Sequence, residues 1–113
     1  MRLKICPTSD CYKLPQQAHQ HDAALDAYAT HDQLLMPFEP VAVGLGFSVE
    51  VPPGYGLLVC SRSGLALKEG IAVANSPGLV DPGYRGEVRA ILVSLSGKPF
   101  VIKRGDRVCQ LRL

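Results

Sequence analysis

Glycine and proline set the first limit on what this chain can fold into. Eleven glycines and nine prolines divide 113 residues into apolar segments of strand length. Arg2–Cys6, Val41–Val43, Phe47–Val51, Gly56–Cys60, Ile71–Ala74, Val88–Leu95, Phe100–Ile102 and Arg107–Leu113 all read as strands, several with alternating apolar and polar positions. Turn residues recur about every ten positions, the pattern of an all-β sandwich or barrel. Only Ser63–Glu69, "SGLALKE", has the composition for a turn or two of helix.

The length fits a single domain over residues 1–113, near the size where association often adds stability. A hydrophobic content of 47% and a formal charge of +2 exclude nucleic-acid binding driven by bulk charge. No apolar run approaches the ~20 residues of a membrane helix, and "MRLKICPTSD" lacks a secretory core, so a cytoplasmic protein is expected. The four cysteines form no CxxC pair. Cys6 and Cys11 with His19 and His21 match no familiar zinc spacing, so free thiols are expected.

Four stretches carry the chemistry. In "NSPGLVDPGYRGEV", Pro82-Gly83 reads as the centre of a type II turn. Leu79-Val80 and Glu87–Leu95 then read as the arms of a tight hairpin that holds Asp81 and Tyr84 beside its tip. Pro77-Gly78 marks a second turn upstream, and "PPGYG" and "SGKP" read as further hairpin connections. The structural alternative for the first is a surface hairpin with a solvated aspartate. "SRSGLALKEG" follows a strand and opens a helix-like segment, where Arg62 and Ser63 offer donors suited to phosphate oxygens; otherwise it is a cap.

"RGDRVCQLRL" is a strand entered through a Gly-Asp turn, with Gln110 the one polar residue among the inward candidates Val108 and Leu111 to Leu113. "DAALDAYA" spaces Asp22 and Asp26 as i and i+4. They are either a helix-cap or loop pair, or one of them orients a hydrated metal. The segment before position 41 has no clear period, and "LLMPFEP" reads as an edge strand or loop between prolines.

Taken together, "DAALDAYA", "SRSGLALKEG", "NSPGLVDPGYRGEV" and "RGDRVCQL" resemble, in order and spacing, the first four motifs of the trimeric dUTPase family. The upstream "KLPQQAHQHDAALDAYA" is also similar to the family's N-terminal signature, and the resemblance runs over essentially the whole chain. It implies an all-β fold, a dUTPase-like distorted β-barrel or jelly-roll-like sandwich, and hydrolysis of dUTP to dUMP and pyrophosphate by a homotrimer with sites shared between subunits. It assigns Asp81 to activation of the attacking water and Tyr84 to packing against the deoxyribose. Asn75 and the main chain of Gly78, Leu79 and Val80 are assigned to the polar edge of uracil. Arg62, Ser63, Gly64 and Gln110 match phosphate contacts, and Arg89 matches a further substrate contact. Mg²⁺ would be bound mostly by the triphosphate, with Asp26 acting on it through water.

The sequence also departs from the family. Ala24 and Ala27 replace the usual glycine and leucine, and Cys60-Ser61 replaces a proline that often precedes the Arg-Ser-Gly. Nothing in the sequence resembles the Gly-rich, Phe-containing fifth motif that closes over the nucleotide in family members. The alternative is therefore a non-catalytic or regulatory dUTPase-like trimer that binds a nucleotide or protein. "DPGY" is shared with dCTP deaminases, but these need a glutamate in the following strand, and Glu87 lies too near the turn.

Overall fold

The computed structural model describes residues 3–113, so Arg2 of the expected Arg2–Cys6 strand lies outside the described residues. In chain order the elements are β1 (Lys4–Pro7), β2 (Leu25–Tyr28), β3 (Gln33–Leu35), β4 (Val41–Gly44), β5 (Phe47–Glu50) and β6 (Leu57–Cys60). The helix α1 (Ser63–Glu69) follows, then β7 (Ile71–Val73), β8 (Gly78–Val80), β9 (Arg89–Ser94), β10 (Phe100–Ile102) and β11 (Arg107–Arg112). The all-β expectation with one short helix holds. Gly70 ends that helix in the left-handed conformation, at φ +68°, where its N–H reaches back to the last carbonyls.

No two strands adjacent in sequence pair with each other among the described residues. β1 joins β5, β3 joins β10, β4–β9–β7 form a three-stranded sheet, and β2–β11–β6–β8 form a four-stranded one. The strands thus make four open sheets and no closed barrel. This corrects three hairpin expectations. The Pro52–Gly56 turn leads from β5 to β6, the Ser96–Pro99 turn from β9 to β10, and the Asp81 turn from β8 to β9; each pair lies in different sheets. A turn sequence specifies that the chain reverses, whereas the burial of the flanking faces selects the pairing partner.

"DAALDAYA" is also corrected. Leu25–Tyr28 is a strand whose inner residues Ala27 and Tyr28 are buried, so Asp26 sits in a ladder and on no helix. Asp22 lies apart in a turn, where its carboxylate accepts the His19 N–H at 2.8 Å. "LLMPFEP" resolves into the short strand β3 and a turn. The Gly-Asp turn before β11 is as expected, with Gly105 at φ +89° and the Lys103 N–H on the Asp106 carboxylate. In β11 a register shift between Arg107 and Cys109 lets the neighbours Val108 and Cys109 both turn inward, while Leu113 is exposed rather than buried.

The sheets enclose one core containing Phe47, Leu35, Leu45, Leu57, Ile71, Leu92, Ile102 and Leu111. The N-terminal segment is fastened to it by Arg104, whose guanidinium donates to the Asp10 and Thr30 carbonyls at 2.9 and 2.6 Å and lies over the Tyr12 ring. The four cysteines are free thiols. Burial pushes the Cys109 thiol up to about 12 from an ordinary 9.0, with the nearby Asp26 carboxylate adding to the shift.

Two outcomes are expected. Phe47→Ala removes a fully buried ring and should cost about 3–5 kcal/mol in urea unfolding. Iodoacetamide near pH 9 should alkylate the exposed Cys6 but leave Cys109 untouched until the chain unfolds, as mass spectrometry would show. The sign of the linkage follows. The buried neutral thiol contributes its full stability below pH 9.0, and that contribution is lost as pH rises toward about 12, because the unfolded thiol ionises first.

Candidate functional site

The four-stranded sheet lines up one polar row. Gln110 on β11 stands opposite Asp26 on β2 and Cys60 on β6. The Asp26 carboxylate, 13% exposed, lies 3.6 Å from Arg62 Nε and 3.5 Å from Arg107 Nη1. Arg62 Nη1 also donates to the Arg107 carbonyl at 3.3 Å, and Gln110 Nε2 donates to the Ser61 carbonyl at 3.0 Å. Ser63 and Gly64 are exposed at the start of α1, and a Cβ on Gly64 would meet nothing within 4 Å. The backbone there is open to a ligand. Two guanidinium groups share one carboxylate, which leaves excess positive charge suited to a polyanion.

Arg107 belongs to this cluster and was not singled out from sequence. Its signal is the opposite charge of Asp26, legible only once β2 and β11 are known to pair. Cavities open on both sides of the trio. One of ≈ 370 Å³ is bordered by Asp22, Asp26, Cys60 and Gln110, and one of ≈ 300 Å³ by Arg62, Gly64, Lys68 and Arg107. Among the described residues no three His, Cys, Asp or Glu side chains gather as a metal site. A hard cation beside Asp26 would have to draw most of its oxygen ligands from a bound ligand and water.

A second cluster forms where β8 crosses to β9. Leu79, Val80, Asp81, Tyr84 and Arg89 border a cavity of ≈ 290 Å³ with apolar side chains of β4 and β9. The Tyr84 N–H closes a turn onto the Asp81 carbonyl at 3.1 Å. Gly83 lacks the positive φ that a type II turn requires, which corrects the expected turn type. The Asp81 carboxylate is exposed and makes no hydrogen bond or ion pair among the described residues. Tyr84 folds back so that its hydroxyl donates to the Glu87 carbonyl at 2.8 Å, and Gly86 has no room for a side chain beneath it. Glu87 Oε2 accepts the Gly46 N–H at 3.0 Å, and Oε1 lies 3.7 Å from Arg89 Nε.

Asn75 precedes this cluster on an exposed turn closed by the Ser76 N–H on the Val73 carbonyl at 3.0 Å. That turn centres on Ala74-Asn75 rather than on Pro77-Gly78, because Gly78 is already the first residue of β8. Gly78 is buried, and a Cβ there would stand 3.1 Å from the Asn75 amide nitrogen. Ser61, which drew notice from sequence only as part of a replaced proline, ties the two regions together. Its N–H donates to Ser76 Oγ at 3.2 Å, and its own Oγ accepts the Val73 N–H at 2.9 Å.

The structure therefore groups Asp26, Arg62, Ser63, Gly64 and Gln110 in one place and Leu79, Val80, Asp81, Tyr84 and Arg89 in another. β8 is three strands from β2, and Val80 pairs with Leu57, so Asp81 stands four residues along from the row through Cys60. Strand geometry then separates Asp26 from Asp81 by on the order of 20 Å. Within one chain the two clusters face different cavities.

A family profile for dUTPase matches residues 10–113. The chain is 42% identical to the deoxyuridine 5′-triphosphate nucleotidohydrolase of Zymomonas mobilis, covering all of this chain and 77% of that protein. It is 39% identical to the enzyme of the same name from Clostridium tetani, covering 96% of this chain and 75% of that one. Among solved structures, the dUTPase from phage phi11 of S. aureus matches with a TM-score of 0.88 at 22% identity, over 99% of this chain and 88% of that one. That likeness concerns the fold. The same phage enzyme, as a mutant, coordinates a structural Mg(II) ion, and the dUTPase of Staphylococcus bacteriophage 80alpha has been solved with dUpNHpp. With the four motifs in order and matches across the sequence, the chain belongs to the dUTPase family.

Proposed function

We propose that this chain acts as a single-domain dUTP diphosphatase, converting dUTP to dUMP and pyrophosphate. The observation that carries this is the Asp81 carboxylate, exposed and free of protein partners, at the rim of a cavity walled by Tyr84 and the β8 backbone. A base for water needs that freedom, since a carboxylate already engaged by a cation is a weaker proton acceptor. Tyr84 lies against the sugar and excludes a 2′-hydroxyl. The Asn75 amide and the main chain of Gly78, Leu79 and Val80 pair with the polar edge of uracil.

The phosphates are assigned to the other cluster. Arg62, Ser63, Gly64 and Gln110 hold them, with Arg89 a further contact from the nucleoside side. Attack at the α-phosphorus by the water on Asp81 expels pyrophosphate, whose growing charge Arg62 and the backbone amides offset. Asp26 would help to hold a Mg²⁺ ion through water, the triphosphate supplying most of the ligands, and the ion would supply charge neutralisation on the phosphates. Glu87 does not suit a deaminase base, because Gly46 and Arg89 already engage its carboxylate.

The separation of the two clusters within one chain supports sites assembled between copies, the Asp81 region of one subunit facing the Arg62 region of the next. A homotrimer is the assembly we assign. Action in the cytoplasm is the location we assign, because the free thiols suit its reducing conditions.

Asp81→Asn keeps the shape but cannot take a proton from water. Turnover of dUTP should fall by about 10²–10⁴, as measured by pyrophosphate release, while dUpNHpp binds as before. A variant that keeps full turnover excludes Asp81 as the base, and a wild-type chain that binds the analogue without hydrolysis would mark a non-catalytic relative. Sedimentation at micromolar concentration should show a trimer; a stable monomer that still turns over dUTP would contradict the shared site.

A further inference from the structure

The loop from Asp81 to Val88 joins two different sheets, so no ladder between its arms fixes the shape of the cavity it borders. Its end is tied by the Val88 backbone to Leu45 and Phe47, at 3.2 and 2.8 Å, and the side chain that fastens it to the same segment is Glu87. The carboxylate, 25% exposed, accepts the Gly46 N–H at 3.0 Å and sits where a Cβ on Gly44 would come within 2.7 Å, so it is packed directly against the backbone between β4 and β5. That backbone is itself fixed. The Gly46 carbonyl accepts the Thr8 N–H at 2.8 Å, and Gly46 holds φ +83° against Cys11 and Thr30 with no space for a side chain. The Glu87 carbonyl in turn holds the Tyr84 hydroxyl at 2.8 Å, and its second carboxylate oxygen approaches Arg89.

We infer that Glu87 is a positioning residue for the nucleoside cavity: its carboxylate fastens the loop to Gly46 and thereby sets how strictly Tyr84 discriminates deoxyribose from ribose. The inference rests on the reading that Tyr84 faces the sugar. One residue reaches both the immobile backbone and the ring. Glu87 Oε1 also lies 3.7 Å from Arg89 Nε, an exposed pair that adds little to the anchor. A glutamate serving only the stability of the loop would change the two nucleotides' turnover alike.

The experiment compares kcat/KM for dUTP and UTP in the full chain and in Glu87→Ala, Glu87→Met, Glu87→Gln and Tyr84→Ala. Glutamine keeps an acceptor for the Gly46 N–H, whereas methionine keeps the volume without one and guards against a collapse specific to alanine. Tyr84→Ala should raise the use of UTP relative to dUTP. Glu87→Ala and Glu87→Met should move the ratio in the same direction, by about 5- to 30-fold. Glu87→Gln should stay within about twofold of the wild type, because the anchor survives. A ratio that moves in Tyr84→Ala and in no Glu87 variant overturns the positioning role alone. A glutamine variant as relaxed as the methionine one overturns the anchor. A ratio unchanged in Tyr84→Ala overturns the reading of Tyr84, and the inference with it.

Discussion

The structure depends first on the pairing of β11 with two strands drawn from distant parts of the chain. β11 lies between β2 and β6, and its register places Gln110 level with Asp26 on one side and Cys60 on the other. A slip of one residue would turn Gln110 into the core and Cys109 out, since side chains alternate across a strand. The buried Cys109, Val108 and Leu111 oppose that slip. The hydrophobic pattern of one strand therefore fixes the geometry of the polar row, and the polar residues need contribute little stability themselves. The ion pairs of Asp26 are partly exposed and long, so their value lies in orienting Arg62 and Arg107 more than in holding the fold.

The second constraint is the crossing from β8 to β9. Because its arms belong to separate sheets, the segment carrying Asp81 and Tyr84 is held by side-chain and backbone contacts at particular points. The Tyr84 hydroxyl on the Glu87 carbonyl, the Glu87 carboxylate on Gly46 and the two backbone bonds of Val88 to Leu45 and Phe47 supply them. Glycines at 44, 46 and 86 allow the close approaches. Asp81 escapes all of these contacts, which leaves its carboxylate available to solvent or ligand.

Much of the site was legible as residue types in order. Arg62-Ser63, Asp81, Tyr84 and Gln110 stood out as polar residues at the ends of apolar segments, whereas Gly64 and Asn75 entered through the family resemblance; the helix Ser63–Glu69 was bounded as expected. Arg107, Ser61 and Glu87 were not recognised for what they do. Their partners are Asp26, Ser76 and Gly46, at sequence separations of 81, 15 and 41, and no local pattern encodes such contacts. The hairpin expectations failed for the same reason. The turns at Pro52–Gly56, Asp81–Tyr84 and Ser96–Pro99 fall where expected, yet each one connects two sheets instead of closing one, and the turn expected at Pro77-Gly78 lies at Ala74-Asn75.

The sequence by itself determined that the chain is built of short strands, where it turns, which faces are apolar, and that it carries the family's first four motifs. The strands, turns and apolar faces follow from local properties: the fixed φ of proline, the freedom of glycine and the period-two alternation of a strand. Only the tertiary structure decided which strands pair, that Asp26 and Arg62 form one cluster while Asp81 and Tyr84 form another about 20 Å away, and that Glu87 stands between Gly46 and the Tyr84 loop. Pairing across long separations depends on the burial of whole faces against one another, a property of the assembled core that no single segment contains.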